Sequence, residues 1–396
     1  MKVLTLTHVF PRNRTDTVAP FLWNFHEALA QQNIDAVVCA PHEKNLSRTE
    51  KYPHCRVERF RYAPEKFERL AYKGNMHELV LSSTVNKVLF ISYLICGFFS
   101  LCRLIRREKP DLIHVHWWIP SGIIMYGASF FFKTPCIITS HGTDVFILKR
   151  FTFLTFFARK IFRRTTRIHA ISTYVKDEII SLVPEKKDSI DIISMPIREE
   201  RIPKRPPRFR GGKKLLFLGR LIPRKGADIL ISALSELSEE YELTLVGTGP
   251  EKDRLSEACR KHAVSDRVFF RSAVSPDALP GLFEEHEIFI LPSRTDWKAE
   301  KEGLGMVLLE AQRMGLALIA SDSGGMPDIV IHEKTGLLVP EDEPHALAQA
   351  IERYTDASFY KTMVLGAQHH YSQNYSQNSL GKKTRISYED VVKSHL

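Results

Sequence analysis

Apolar positions along this chain fall into two alternating patterns. Short runs rich in valine, isoleucine, leucine and threonine, such as "KVLTLTHVF" (residues 2–10), "IDAVVCAP" (34–41), "DLIHVHW" (111–117), "CIITSHG" (136–142) and "RIHAIS" (167–172), read as buried strands. Between them lie stretches with helical spacing, as in "FLWNFHEALAQQ", where Phe21, Leu22, Phe25 and Leu29 share a face. Strand alternating with helix predicts a parallel sheet covered on both faces. The pattern dissolves over 195–212, "MPIREERIPKRPPRFRGG", into prolines, arginines and a Gly-Gly pair, the composition of an exposed linker. It then restarts with "KLLFLGR", "GADILISALSEL", "YELTLVGTG", "RVFFRSAV", "EIFILPS", "LALIAS" and "GLLVP". Two strand-helix domains are therefore expected: residues 1–197, a linker at 198–212, a second domain at 213–370, and a closing helix in 371–396 that packs back on the first domain.

One segment tests whether the chain is soluble. Residues 88–102, "VLFISYLICGFFSLC", carry no charge. As a helix they would extend about 22 Å at 1.5 Å per residue, short of the roughly 30 Å of a bilayer core. A buried or interfacial helix is the expectation. The start, "MKVLTLTHVF", lacks the features of an export signal. Six scattered cysteines without a C-x-x-C pair read as reduced core thiols of a cytoplasmic protein.

Composition narrows the partners. The 396 residues are 44% hydrophobic and 26% charged, which excludes disordered and fibrous classes. A net charge of +10 suits an anionic partner. Nucleic acid is not expected, since the chain shows no aromatic-basic sheet motif or recognition helix. Residues 148–164, "LKRFTFLTFFARKIFRR", mix five phenylalanines with six lysines and arginines, which fits a helix on an anionic membrane surface.

The chemistry concentrates in the second half, in loops that follow strands. After "LLFLG" come Arg220 and then Pro223, Arg224, Lys225 and Gly226 at a helix start, placing cations beside free N–H groups. Gly247 and Gly249 are expected to let the chain turn and a ligand approach the backbone, although no third glycine completes a dinucleotide fingerprint. In "EKEGLGMVLLE" (300–310), Gly303 and Gly305 leave the N–H groups of Leu304, Gly305 and Met306 open at a helix N-terminus, a place for phosphate. Glu302 precedes that place and Glu310 lies further along the helix. Two carboxylates beside a phosphate site make sense as acceptors for hydroxyl groups, one towards a ribose diol and one towards a sugar ring. His114 and His116 share a strand face, but no further ligands accompany them, so no metal site is expected; a place on a cleft floor suits them better. Trp117 and Trp118 could stack on a sugar or fill core.

Together, "FLGRLIPRKGADILISAL", "LTLVGTGPEKDRL", "ILPSRTDWKAEKEGLGMVLLEAQRMGLALIASDSGGMPDIV" and "TGLLVP" resemble, in order and spacing, the retaining nucleotide-sugar glycosyltransferases of family four. The first half matches more loosely, through "KPDLIHVHW", "IITSHGTDV" and "IHAIS". The resemblance implies a GT-B fold, an α/β architecture of two facing doubly wound Rossmann-like domains with a cleft between them. It implies that Glu310 binds the donor ribose and that Glu302 lies by the transferred sugar. It further implies that Arg220 and Lys225 neutralise the diphosphate, that the Leu304, Gly305 and Met306 amides cap it, and that His141 in "SHGTD" faces the donor sugar. No D-x-D motif stands in these loops, so transfer without a metal or other cofactor and with retention is expected, from a UDP- or GDP-sugar to a glycan or to a polyprenyl- or lipid-linked acceptor. That places the enzyme on the inner face of the membrane, building cell-surface polysaccharide. The alternatives left open are a GT-B nucleotide-sugar epimerase, a phosphorylase and an inactive nucleotide-sugar-binding subunit. Two departures stand out. Ala19-Pro20 occupies the first loop where relatives carry Gly-Gly, and the "WKAEK" insert at 297–301 is long and charged.

Overall fold

The computed structural model describes residues 1–72, 76–296 and 300–395, apart from the side chain of His77. Trp297, Lys298 and Ala299 of the charged insert lie outside the described residues. The chain divides into two compact units, Met1–Pro196 with Gln377–Leu396, and Ile197–Ser376.

In the first unit the strands are β1 (Lys2–Leu6), β2 (Asp35–Pro41), β3 (Thr49–Tyr52), β4 (Cys55–Phe60), β5 (Leu112–His116), β6 (Cys136–Ser140), β7 (Arg167–Ala170) and β8 (Ile190–Ile192). The helices are α1 (Pro20–Gln31), α2 (Met76–Ser82), α3 (Thr84–Glu108), α4 (Ile123–Ala128), α5 (Thr143–Arg150), α6 (Leu154–Arg164) and α7 (Thr173–Leu182). The sheet runs β3-β4-β2-β1-β5-β6-β7-β8. Every pair is parallel except β3 with β4. That antiparallel edge is missing from the all-parallel expectation because "TEKY" is a polar ribbon with no apolar run to mark it. The central strands are buried along their length, β5 at all five positions, as a sheet covered on both faces requires.

The second unit holds β9 (Lys214–Leu218), β10 (Glu242–Val246), β11 (Val268–Arg271), β12 (Ile288–Leu291), β13 (Ala317–Ser321) and β14 (Leu337–Val339). Its helices are α8 (Ala227–Ser235), α9 (Lys252–Lys261), α10 (Leu279–Glu284), α11 (Met306–Met314), α12 (Met326–Ile329), α13 (Pro344–Arg353) and α14 (Ala357–Asn374). All strand pairs are parallel, in the order β11-β10-β9-β12-β13-β14. The order reverses between β9 and β12, and the loops after these two strands diverge to leave a crevice.

Three local expectations change. The stretch 198–212 is no free linker: Arg205 N–H donates to Arg313 O at 3.0 Å, Gly212 N–H to Glu287 at 3.1 Å, and Ile202 is buried. Its arginines are tied to unit 2 by main-chain bonds that composition does not reveal. The apolar run 88–102 is the middle of a 25-residue helix, α3, about 37 Å long at 1.5 Å per residue, so the length argument against spanning fails. By length and composition α3 could cross a membrane, yet a third of its apolar window is buried, with Tyr93, Gly97, Leu101 and Leu104 turned inward and contacts to β1, β2 and β4. The basic aromatic stretch 148–164 is two helices, α5 and α6, parted between Arg150 and Leu154.

After α14 the chain enters α15 (Gln377–Lys393), which lies along α1 and buries Leu380, Thr384, Ser387, Tyr388 and Val391 in unit 1. The wholly buried Tyr388 hydroxyl bonds His114 Nδ1, whose other nitrogen meets Thr139 Oγ1 at 2.7 Å. Truncating that ring should therefore loosen the helix and orphan the imidazole together. Tyr388→Ala is expected to destabilise unit 1 by about 3–5 kcal/mol. Tyr388→Phe, which keeps the ring and leaves His114 one bond short, should cost about 1–3 kcal/mol, both read from urea unfolding followed by circular dichroism.

Candidate active site

The crevice between β9 and β12 is a cavity of about 430 Å³. Leu218, Gly219, Arg220, Arg224 and Lys225 line it from one side, and Glu302, Gly305, Met306, Val307 and Glu310 from the other. The first group lies beyond the end of β9, in a tight turn over Pro223–Lys225 that leads into α8. The second lies on the loop after β12 and the first turns of α11, which Gly305 caps with φ +83°.

Backbone contacts lock the two loops together. Arg294 N–H donates to Arg224 O at 2.8 Å, and Arg224 Nη1 returns a bond to Lys301 O at 2.9 Å. Glu302 is held from behind by the turn at Gly324-Gly325: Gly325 N–H donates to Glu302 O at 2.9 Å, and a Cβ on Gly324, at φ +58°, would fall 2.1 Å from that same oxygen. Only glycine allows so close an approach.

Charge is unevenly shared in the cavity. Lys225 Nζ donates to Glu302 Oε2 at 2.5 Å, and Arg224 Nη1 lies 3.6 Å from it. Burial pushes the Glu302 pKa up, but Lys225, Arg224 and Arg220 outweigh it and hold the carboxyl below its usual range. Arg220 is exposed and, among the described residues, has no carboxylate partner. Among the described residues Glu310 has no cation to compensate it, and burial pushes its pKa up to about 7. Three cations thus face two carboxylates, and burial favours the protonated form of one of them, Glu310. The amides of Leu304, Gly305 and Met306 have no intramolecular acceptor among the described residues. This combination can hold an anion at the helix start and a hydroxyl-bearing group on either side.

The structure brings Arg220, Lys225, Glu302, Gly305, Met306 and Glu310 into this one cavity. Gly303 and Leu304 belong to the same loop without lining it, and the Leu304 side chain is buried in the core. Arg224, to which the sequence assigned no separate role, lines the cavity and touches Glu302. The Gly324-Gly325 turn was also missed, though the doubled glycine was its signal. At Gly249 a Cβ would lie 2.2 Å from Leu221 O, so the glycine is required for the close approach of a neighbouring chain segment.

His141 belongs to unit 1. It follows β6, its amide donates to Asp144 at 3.0 Å, and its Nε2 meets His116 Nδ1 at 3.0 Å. Its ring packs against Trp117 with centroids 4.1 Å apart and against Phe21 at 5.1 Å. Burial, helped by His8, lowers the His141 pKa to about 3, while burial raises that of Asp144 to about 6. His114 and His116 are core histidines, fully buried, and not open to a cleft. Trp118 likewise fills core and bonds Asp144 O. Among the described residues no group of three or more His, Cys, Asp or Glu is placed to hold a metal ion. Ala19 of the first loop sits in the left-handed region at φ +50°.

Residues 198–369 match the family described as Glycosyl transferases group 1, and residues 18–201 match Glycosyltransferase Family 4. The chain is a family-four glycosyltransferase of GT-B fold. An uncharacterized glycosyltransferase of Methanocaldococcus jannaschii is 26% identical over 81% of this chain and 88% of its own. The GDP-mannose-dependent alpha-(1-6)-phosphatidylinositol monomannoside mannosyltransferase of Mycobacterium tuberculosis is 37% identical over 36% of this chain and 39% of its own. Among solved structures, Anabaena HepE in complex with UDP superposes with a TM-score of 0.72 at 18% identity, covering 98% of this chain and 100% of its own, a likeness of fold.

Desolvated histidines, two of them wholly buried and His8 partly so, should make the stability of this glycosyltransferase pH-dependent. His8, His26 and His169 each have a pKa lowered to about 4 by burial. They stay neutral when folded and take up protons near pH 6.5 when unfolded, so the unfolded state binds more protons between those values. Stability should be full above pH 6.5 and fall below it by about 1 kcal/mol per pH unit for each such histidine. Urea unfolding at a series of pH values should show this loss, with a shallower slope in His26→Gln.

Proposed function

We propose that this glycosyltransferase moves a hexose-type sugar from a UDP- or GDP-sugar, with retention at the anomeric carbon and without a metal, to a glycan or lipid-linked acceptor of a cell-surface polysaccharide. The observation that carries this reading is the cavity at the β9–β12 switch point, with its surplus of cations at one helix start and a lone carboxylate, Glu310, deeper along α11. Glu310 would accept bonds from the ribose hydroxyls, and the Leu304, Gly305 and Met306 amides would cap the diphosphate.

Cleavage of the sugar–diphosphate bond leaves positive charge on the sugar and adds negative charge to the departing diphosphate. Arg220, Arg224 and Lys225 stand where that negative charge would grow, so they favour the transition state over the bound substrate. In the free enzyme Lys225 and Glu302 satisfy each other. An entering diphosphate would compete for Lys225 and release Glu302 to accept from sugar hydroxyls. The family resemblance assigns His141 to the donor sugar. A second carboxylate that approaches the sugar as a nucleophile is not needed for this assignment.

The relatives support the substrate classes. The mycobacterial mannosyltransferase is named for GDP-mannose and for phosphatidylinositol monomannoside, and HepE is solved with UDP. A lipid-linked acceptor would put the enzyme at the inner face of the cell membrane, with the basic, phenylalanine-rich α6 as a peripheral contact.

Thermal shift with UDP, GDP and ADP, and with their sugars, should single out one base, and Glu310→Ala should abolish the response; a shift that survives in this variant refutes the ribose role. Lys225→Ala should lower turnover about 10²- to 10³-fold with the fold intact. The product's anomeric configuration, read by NMR with and without chelator, tests retention and metal independence. Because only the ionised Glu310 accepts from both hydroxyls, affinity for the nucleotide-sugar should fall as pH drops through 7, by up to about tenfold per unit. Titration calorimetry should find that dependence gone in Glu310→Gln.

A further inference from the structure

The donor site leaves the outer face of α3 unexplained. Val85, Val88, Ile91, Ile95 and Phe99 are between 51% and 65% exposed and recur every three or four residues. From Val85 to Phe99 they form a stripe about 21 Å long. Phe130 and Phe131, at the end of α4, are 63% and 70% exposed and continue it, the Phe131 ring lying 5.9 Å from that of Phe98. Beside α4 stands α6, with Phe153, Phe156 and Phe157 also exposed. Single exposed apolar residues need no explanation, but a contiguous face of this extent does.

Cations are set among these rings. Arg106 lies 5.4 Å from the Phe132 ring, Arg164 lies 5.6 Å from that of Phe130, and Lys160 lies 4.3 Å from that of Phe156. Among the described residues Arg103, Arg106, Lys160 and Arg164 have no carboxylate partner, unlike Arg107 and Arg163, which pair with Glu58, Glu108 and Glu185. Where α3 meets α4, a slot of about 320 Å³ is lined only by Leu94, Ile95, Phe98, Phe99, Ile123 and Ile124.

We propose that this face seats unit 1 on an anionic lipid leaflet, with α3 lying in the plane of the interface and a lipid hydrocarbon tail entering the α3–α4 slot. The inner face of α3 is committed to the sheet, so the helix lies on the bilayer instead of crossing it. An apolar stripe with unpaired cations along it matches hydrocarbon below and lipid phosphate at its level. A second copy of the chain would bring the same unpaired cations together. The inference deepens the membrane contact of the proposed function and shifts its main anchor from α6 to α3.

The test is flotation of the full chain with vesicles of phosphatidylcholine alone and of phosphatidylcholine with about 30% phosphatidylglycerol. Wild type should bind the anionic vesicles and lose binding between about 0.1 M and about 1 M salt. The triple variant Val88→Gln, Ile91→Gln, Phe99→Gln, changed only at exposed positions, should lose about tenfold or more in vesicle affinity. Phe99→Trp should be quenched by lipids brominated in the tail, and an unquenched indole overturns the slot. Equal binding by wild type and triple variant, or no binding by wild type, overturns the surface. So does a wild-type dimer that the triple substitution splits, with no vesicle binding by the monomer or dimer. Nucleotide thermal shift on the same samples separates the two readings: a retained shift with failed flotation removes the membrane face and leaves the donor site standing.

Discussion

A parallel strand covered on both faces can carry charge along its length only where an ion-pair partner meets it, as Glu50 meets Arg59 on β4, because every side chain it presents enters a dry interior. This constraint organises both units. Polar chemistry is driven to the ends of the strands, and the end that collects it is the one where loops open into helix N-termini, with their unsatisfied N–H groups. In unit 2 the reversal of strand order between β9 and β12 spreads two such loops apart, so the crevice follows from topology before any particular residue is chosen. The residues then make it specific. Three cations come from one loop, two carboxylates and a helix start come from the other, and a Gly-Gly turn grips the backbone of Glu302 from behind.

The same constraint explains why the two glutamates differ. Glu302 and Glu310 stand on one short segment, yet the first meets Lys225 and Arg224 and stays ionised, while the second has burial without a cation and titrates near neutrality. Two carboxylates with separated pKa values can do two kinds of work in one site. In the free enzyme the tightly paired Glu302 also keeps Lys225 pre-positioned, since a flexible lysine left alone would spread over many rotamers. The ion pair therefore contributes order more than net stability, as desolvation offsets most of the attraction between charges of this kind.

How much of this was legible in the sequence depends on the period of the pattern. Strands such as "IFIL" and "LIHVH" are apolar at nearly every position and announce themselves, and so does a helix start built from Gly-Leu-Gly before "MVLLE". The polar edge β3 gave no such signal, because an edge ribbon with one side in water needs no apolar run. Residues 198–212 looked unstructured because prolines and arginines are the vocabulary of linkers, yet their backbone groups find partners at Arg313 and Glu287, which only the folded chain brings near. Gly249 shows the limit of reading glycine in isolation. A close approach was the right inference, but what approaches is Leu221. Within the site, side chains on a common loop or helix turn, such as Glu302 and Glu310, were recoverable from spacing. The contact of Arg224 with Lys301 and Glu302 joins loops more than 70 residues apart, and no local pattern encodes it.

The histidines of unit 1 show the other route by which a dry interior accepts polar groups. His114, His116, His26 and His169 sit on strands or on a helix against the sheet, wholly buried, and each meets a hydroxyl, a carbonyl or another imidazole. They are tolerated because, at neutral pH, an imidazolium loses its proton to become neutral more cheaply than a carboxylate gains one. His141 ends this chain of rings, anchored by its amide to Asp144 and by Nε2 to His116, so its orientation is set by buried neighbours. The net positive charge of the molecule is consequently not spread evenly. The buried imidazoles of unit 1 are neutral, its buried Arg59 is paired with Glu50, the cavity of unit 2 is positive by composition, and several cations without carboxylate partners stand beside exposed phenylalanines, where hydrocarbon and phosphate can be met together.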